Sequence, residues 1–333
     1  ILANRLKIKW VDVDETTCNI CLDDLESKLS EKTKVIVLVH WGGTPIDLDR
    51  VEEIKDRCKD KYGFRPMVIE DAAHSFGSTY KGKKIGNTNH SNIVVYSFQA
   101  IKHLTSIDGG CLILPDNKLY KRAKLLRWYG IDREDNNKDF RCESDITEWG
   151  FKFNMNDVCA TVGLSNLKHI QVIIDKHKEN ALYYNKELKH VKNVELFNND
   201  KNESSYWVYT LKVNKQKKFI EMMKNKGIIV SRIHERNDKH SCVKEYKTKL
   251  PNIDNLVYMG GCALIPSILE TTQHLNGWDV EIIVIDNSGT DDFEKDNIHL
   301  TNKNIRIVKS EPHHLPKAFN RGVQESKSKY IAI

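Results

Sequence analysis

The sequence predicts an α/β fold on a mainly parallel sheet, then a small α+β domain and a further α/β segment. Short apolar runs alternate with helical stretches from residue 8 to 115, the pattern of a parallel sheet whose crossovers are helices. Two of these runs, Met67-Val68-Ile69 and Ile93-Val94-Val95-Tyr96, have the length and β-branching of buried strands. Downstream, Ser204 to Val213, Gln216 to Lys226 and Gly227 to Val230 read as strand, helix and strand.

Taken in order, Lys7 to Asp14 alternates like a strand, and Asn19 to Leu29 places Leu22, Leu25 and Leu29 on one helical face. Lys34 to Val39 is a short buried strand that runs into His40-Trp41-Gly42-Gly43-Thr44-Pro45. Asp47 and Leu48 open the next helical stretch, and Val51 to Lys61 reads as a helix packed on the strands. His40 is expected to line a cleft or to be satisfied by backbone.

The stretch from Val68 to Gly110 carries the chemistry. Glu70-Asp71 closes the first buried strand, while Ser97 and, five residues on, Lys102 follow the second. Ligands on such sheets gather beyond the carboxyl ends of the strands. An acid and a lysine meeting there suit pyridoxal phosphate: the amine condenses with the cofactor aldehyde, and the carboxylate keeps the pyridine nitrogen protonated.

The runs EDAAHSFGSTYKGKKIG and SFQAIKHLTSIDGG resemble the DegT/DnrJ/EryC1/StrS nucleotide-sugar aminotransferases, a branch of the fold-type I pyridoxal phosphate enzymes. The resemblance implies that Lys102 bonds the cofactor, Asp71 pairs with the pyridinium nitrogen, His74 lies by the ring and its phenolic oxygen, and Ser97 holds the phosphate. It implies a fold-type I large domain with helices on both sheet faces, a keto-sugar nucleotide as substrate, glutamate as amino donor, and a homodimer. The turn at His40 departs from the family pattern, with Gly42 where a Tyr is usual. A dehydratase branch of the family replaces the lysine with histidine; Lys102 argues against that branch, and His103 beside it calls for a control.

Asp108-Gly109-Gly110 is a tight turn before the strand Cys111 to Leu114. Asn117 to Leu126 reads as a helix leading to Arg127-Trp128-Tyr129-Gly130, which by resemblance borders the sugar site. Residues 132–147 read as a charged loop. Trp149 to Asn156 resembles a family signature in which the residue matching Asn154 approaches the cofactor phosphate of a neighbouring subunit. The alternative is that Asn154 caps the following helix. Cys159 to Glu187 reads as one long helix with an apolar stripe of Leu167, Ile170, Ile174, Ala181 and Tyr184. Ser231 to His234 weakly resembles a substrate loop.

Across 333 residues, 40% hydrophobic and 29% charged, the net charge of +6 is spread without a dense basic block. A nucleic-acid partner is therefore not expected. Eight cysteines include one CxxC, Cys18 and Cys21; with no second pair at zinc spacing no metal site is assigned. No apolar run of membrane-spanning length and no signal peptide are read, which places the chain in the cytoplasm. Both ends read as cut, in the strand-like Ile1-Leu2-Ala3 and Tyr330-Ile331-Ala332-Ile333. The resemblance implies earlier residues carrying a phosphate-binding turn and a ring-stacking aromatic.

The pattern changes near residue 262. Ile265 to Leu275 reads as a helix, followed by Trp278 to Asp292 with a strand ending at Asp286. Asn304 to Val308 adds a strand and Lys317 to Gly322 a helix. This tail is similar to family 2 glycosyltransferases of the GT-A fold, which implies that Asp286 contacts a nucleotide. The carboxylate pair that would hold the metal would follow Ile333, so transferase chemistry is not expected of this segment alone. The expected domains are 1–148, a cofactor-binding large domain; 149–261, an interface helix and small domain; and 262–333, a partial GT-A domain. Competing expectations are a glycosyltransferase with an aminotransferase passenger, or an inactive fragment.

Overall fold

The computed structural model describes residues 1–134, 145–197, 203–228, 230–232 and 234–256, with the backbone of strands at 258–261, 282–286 and 305–309. The chain divides into two units, Ile1–Ile265 and Pro266–Ile333.

The first unit opens with α1 (Leu22–Lys28), β1 (Val35–Val39), α2 (Leu48–Tyr62) and β2 (Met67–Asp71). A small hairpin of β3 (Thr79–Tyr80) and β4 (Lys83–Lys84) leads to β5 (Ile93–Ser97) and β6 (Gly110–Ile113). The main sheet has the order β1-β2-β5-β6. β1, β2 and β5 run parallel, and β6 returns antiparallel to β5. The sheet is thus mixed, with one antiparallel edge.

Helix α2 forms because Asp47 caps it, its carboxylate accepting from Arg50 N at 3.1 Å. It ends at Gly63, whose φ of 79° lets the last turn close. Leu48, Val51, Ile54 and Cys58 lie at helical spacing and are buried; Val51 and Ile54 pack with Ile36, Leu38 and Val68 of the strands. Tyr80 and Ile85 cover Val94 and Tyr96 on the same face.

Helices on both faces were expected; among the described residues one face is covered. Val37, Met67, Val95 and Leu112, on the other face, are exposed. Both crossovers step the same way along the sheet, and right-handed crossovers then fall on one side. Asp71 and Ser97 share the second face, because side chains alternate along a strand.

Three further expectations are corrected. Lys7 to Asp14 is not a strand: it makes one isolated bridge, Val13 to Ile20. Asp12 instead accepts from the backbone N–H groups of Asn252 (2.8 Å) and Ile253 (3.0 Å), fixing the start of a later short helix. The long helix is two, α4 (Asp157–Leu167) and α5 (Ile170–Leu188), after α3 (Asn117–Leu126). At the break, the Asn166 carbonyl accepts from His169 N while its side-chain amide donates to Thr105 O at 2.9 Å. Ile174 and Ala181 of the expected stripe are buried, but Leu167 and Tyr184 are exposed. Thirdly, the strand expected from Ser204 begins at Tyr209.

The second sheet holds β7 (Val194–Leu196), β8 (Tyr209–Val213), β9 (Val230–Ser231) and β10 (Tyr258–Gly261), in the order β7-β8-β10-β9, with every pairing antiparallel. α6 (Gln216–Lys224) joins β8 to β9, and α7 (Pro251–Asn255) is the short helix anchored by Asp12. Cys18 and Cys21 are free thiols, and burial pushes Cys18 up to about 12.

The second unit shows β11 (Ile282–Asp286) paired in parallel with β12 (Ile305–Lys309). The helices expected at Ile265 to Leu275 and Lys317 to Gly322 lie outside the described residues, as does most of the loop expected at 132–147. No described helix is long and apolar enough to cross a membrane.

Candidate active site

The paired acids at the end of β2 point opposite ways. Glu70 is fully buried on the covered face, where it meets His40 Nε2 at 2.9 Å and Asn92 Nδ2 at 2.7 Å. His40 Nδ1 accepts from Ile46 N at 3.1 Å, so its Nε2 carries the proton given to Glu70. His40 is thus core structure and does not line a cleft. Asp71 is half-buried, opposite Val39 and Val95 in the sheet register, and accepts from Ala73 N at 3.1 Å.

Ser97 ends the adjacent strand. Its hydroxyl oxygen accepts from Gln99 N at 3.3 Å, which leaves its O–H to donate. The loop that follows is tied back by Ser106 N to Phe98 O and Phe98 N to Gly109 O, both at 2.8 Å. Gly109 has φ 116°, and a Cβ at Gly110 would stand 2.4 Å from Tyr96 O. That close return demands the Gly-Gly pair.

Lys102 rides on this loop. It is half-buried and makes no ion pair among the described residues. Its amine lies 4.0 Å from the ring centroid of Trp207. Burial lowers its pKa, and the Asp71 carboxylate opposes that shift. The Asp71 carboxylate thus lies near enough to act on the charge of the amine.

His74, on the loop after β2, is buried, and its Nδ1 has no hydrogen-bond partner. Burial, then the charges of Lys102 and His234, lower its pKa to about 3, so the imidazole is neutral at physiological pH. Its ring stacks on Trp207 at 4.0 Å and faces Trp41 edge-on at 5.9 Å. His234 stacks on His74 at 5.7 Å. His103 is buried 4.6 Å from the ring of His177, its Nε2 unpartnered and its pKa driven well down, first by burial.

Sequence reasoning missed Trp207. Residues 204–208 are buried as a wedge and do not extend β8. Ser78 Oγ meets Ser205 Oγ at 2.9 Å, His177 Nδ1 meets Tyr206 O at 2.9 Å, and Trp207 Nε1 donates to Ile101 O at 2.8 Å. A Cβ at Gly43 would stand 2.8 Å from Ser205 Oγ and 3.0 Å from His74 O, so glycine alone fits where these loops meet. The available signal was Ser204-Ser205 before Tyr206-Trp207: small polar residues that pack backbone against backbone, next to large rings.

Asn154 does not join this group. It lines a cavity of about 40 Å³ with Lys124, Arg127, Trp128, Ile131 and Arg133. Its Oδ1 is buried without a partner. The helix cap considered for it is Asn156, whose Oδ1 accepts from Cys159 N at 2.9 Å. Asp286 ends β11 in the second unit, where its side chain lies outside the described atoms. Among the described residues no group of three His, Cys, Asp or Glu side chains could hold a metal.

Comparison with known proteins gives a consistent result. Residues 1–273 match the DegT/DnrJ/EryC1/StrS aminotransferase family. The chain is 34% identical over 239 residues to an uncharacterised protein of Methanocaldococcus jannaschii, covering 68% of this chain and 60% of that one. It is 35% identical over 177 residues to the UDP-4-amino-4-deoxy-L-arabinose–oxoglutarate aminotransferase of Shewanella sediminis, covering 52% and 43%. It thus spans roughly half the length of these curated relatives. The crystal structure of the sugar aminotransferase CalS13 from Micromonospora echinospora superposes with a TM-score of 0.74 at 39% identity, over 84% of this chain and 76% of that one. The family match overlaps residues 262–273, and nothing in these comparisons shows a glycosyltransferase domain.

Proposed function

Since the chain belongs to the DegT/DnrJ/EryC1/StrS aminotransferase family, we propose that it serves a pyridoxal phosphate-dependent aminotransferase that aminates a keto-sugar nucleotide. Glutamate is the amino donor, and the enzyme works as a cytoplasmic homodimer in glycan synthesis. The names of the Shewanella and Micromonospora relatives support a sugar substrate and an oxoglutarate–glutamate couple. The observation that carries the reading is the Lys102 amine: half-buried, clear of any ion pair among the described residues, and within the field of Asp71.

Pyridoxal phosphate is the cofactor of this assignment, and the residues fit it. Lys102 supplies the amine for its aldehyde, and Asp71 a carboxylate for its ring nitrogen. The unpartnered His74 Nδ1 stands ready for a ring oxygen, and Ser97 has an O–H to give a phosphate. When bound, the cofactor supplies the electron sink that makes the donor's Cα–H acidic. Asp71 holds the proton at the ring nitrogen. Lys102, its pKa lowered by burial, would take up and return the proton released at the donor Cα. His74, neutral, orients the ring without adding a charge. Asn154, in its own pocket, is assigned to the cofactor phosphate of a partner subunit.

The test is direct. Protein plus pyridoxal phosphate should gain a visible absorption band, and borohydride should fix the cofactor's mass on the peptide holding Lys102. Lys102→Ala should lose both and His103→Gln should keep both. A band that persists in Lys102→Ala removes the assignment.

For residues 262–333 we propose the opening of a GT-A-like nucleotide-binding unit. The parallel pairing of β11 with β12, with Asp286 at the carboxyl end, supports it. Binding of a nucleoside diphosphate should be lost in Asp286→Ala and kept in Lys102→Ala; binding indifferent to Asp286 rejects it.

A further inference from the structure

The amine of Lys102 needs a resting place that neither bonds it nor takes its proton. One acid acts on its charge, and its charge in turn acts on three histidines. Asp71 comes from the end of β2, His74 from the following loop, His103 from its own loop, and His234 from beyond β9. Asp71, the one acid among them, acts at a distance and is not hydrogen-bonded to the amine. The group that does meet the amine is the indole of Trp207, 4.0 Å from ring centroid to nitrogen. A ring face attracts an ammonium group, yet it can neither accept its proton nor block it from an electrophile. A carboxylate in that place would hold the lysine charged.

Trp207 is also fixed in a way that suits the task. Its Nε1–H donates to the carbonyl of Ile101, the residue before Lys102. Its ring packs on His74 at 4.0 Å and an interplanar angle of 18°. The backbone on its amino side is held by Ser78 and His177. One side chain therefore sets both the height of the lysine loop and the position of its amine.

We propose that Trp207 is a positioning residue for Lys102: its ring face carries the free amine between bonding events, and its N–H holds the loop that delivers that amine. This rests on the role assigned to Lys102 above. The test therefore uses the cofactor-free chain, so that failure of cofactor fixation and failure of this inference are read separately.

Competitive labelling with acetic anhydride over roughly pH 6 to 10, read by mass on the Lys102 peptide, gives the midpoint at which this amine becomes reactive. The ring face favours the charged form, so removing it in Trp207→Leu should lower the midpoint by about 0.5 to 1 pH unit. Trp207→Phe keeps a ring and should fall between. A chain grown on 5-fluorotryptophan, whose ring is electron-poor but the same shape, should move the same way and does not depend on the Leu variant folding. A midpoint that stays at the wild-type value in the fluorinated chain, or equal drops in the Phe and Leu variants, overturns the proposal.

Discussion

Near the carboxyl end of the main sheet stand two sets of a histidine and an acid, bonded to each other only in His40 and Glu70, and they differ in how completely they are satisfied. Around His40 and Glu70 the polar groups are answered: Ile46 N–H meets Nδ1, Nε2 meets one Glu70 oxygen, and Asn92 meets the other. Around His74 and Asp71 they are not. Asp71 accepts from Ala73 N alone among the described residues, and His74 Nδ1 is buried with no partner. Folding rarely leaves a buried polar atom unmet without a reason. The first pair closes the core; the second is arranged for something else to complete it.

That contrast can be broken by exchanging damage between the pairs. Asp71→Asn should lower transamination by about 1,000-fold, in the middle of the range for a proton-handling group. It should change unfolding free energy by no more than about 0.5 kcal/mol, as for a site outside the core. Glu70→Ala should do the reverse. It strands His40 and Asn92 in the interior, costing about 2–4 kcal/mol, or a fall in Tm of roughly 5–15 °C. Its cofactor fixation should survive wherever the chain is folded. Thermal melts beside single-turnover rates decide both; a stable, active Glu70→Ala would erase the distinction.

The sequence showed the parts that local chemistry dictates. Helix α2 was readable from Asp47 and the spacing of its apolar residues. The strands ending at Asp71 and Ser97 were readable from their β-branched runs. Nothing in the alternation of 67–71 announces which acid of the Glu70-Asp71 pair faces the core, although the period of two requires that they part. What stayed hidden depends on distant partners. Residues 7–14 carry a strand pattern, but pairing needs a neighbour, and Asp12 serves α7 across some 240 residues of chain. Ser204 to Val208 has strand composition too, yet its backbone bonds go to Gly43 and Ser78 on loops of the first sheet and to His177 of α5. Trp207 reached the site by that detour, which no local pattern encodes.

The last expected effect concerns protons and sharpens what is unusual about His74. Its pKa falls from 6.5 to about 3, chiefly by burial and then by the charges of Lys102 and His234. Between those values the unfolded chain binds a proton that the folded chain refuses. The stabilisation is therefore complete above pH 6.5 and is lost as pH falls toward the folded value. The slope from one such group reaches about 1.4 kcal/mol per pH unit. His103, His177 and His234 are shifted the same way and add to the acid sensitivity. Replacing His74 with Gln should remove one proton's worth of slope between roughly pH 6 and pH 4 while leaving the others in place. Urea midpoints at half-unit steps would measure it. A slope unchanged in His74→Gln would mean that the folded ring takes up its proton as readily as the unfolded one, and the neutral, unmet nitrogen assigned to the cofactor would not exist.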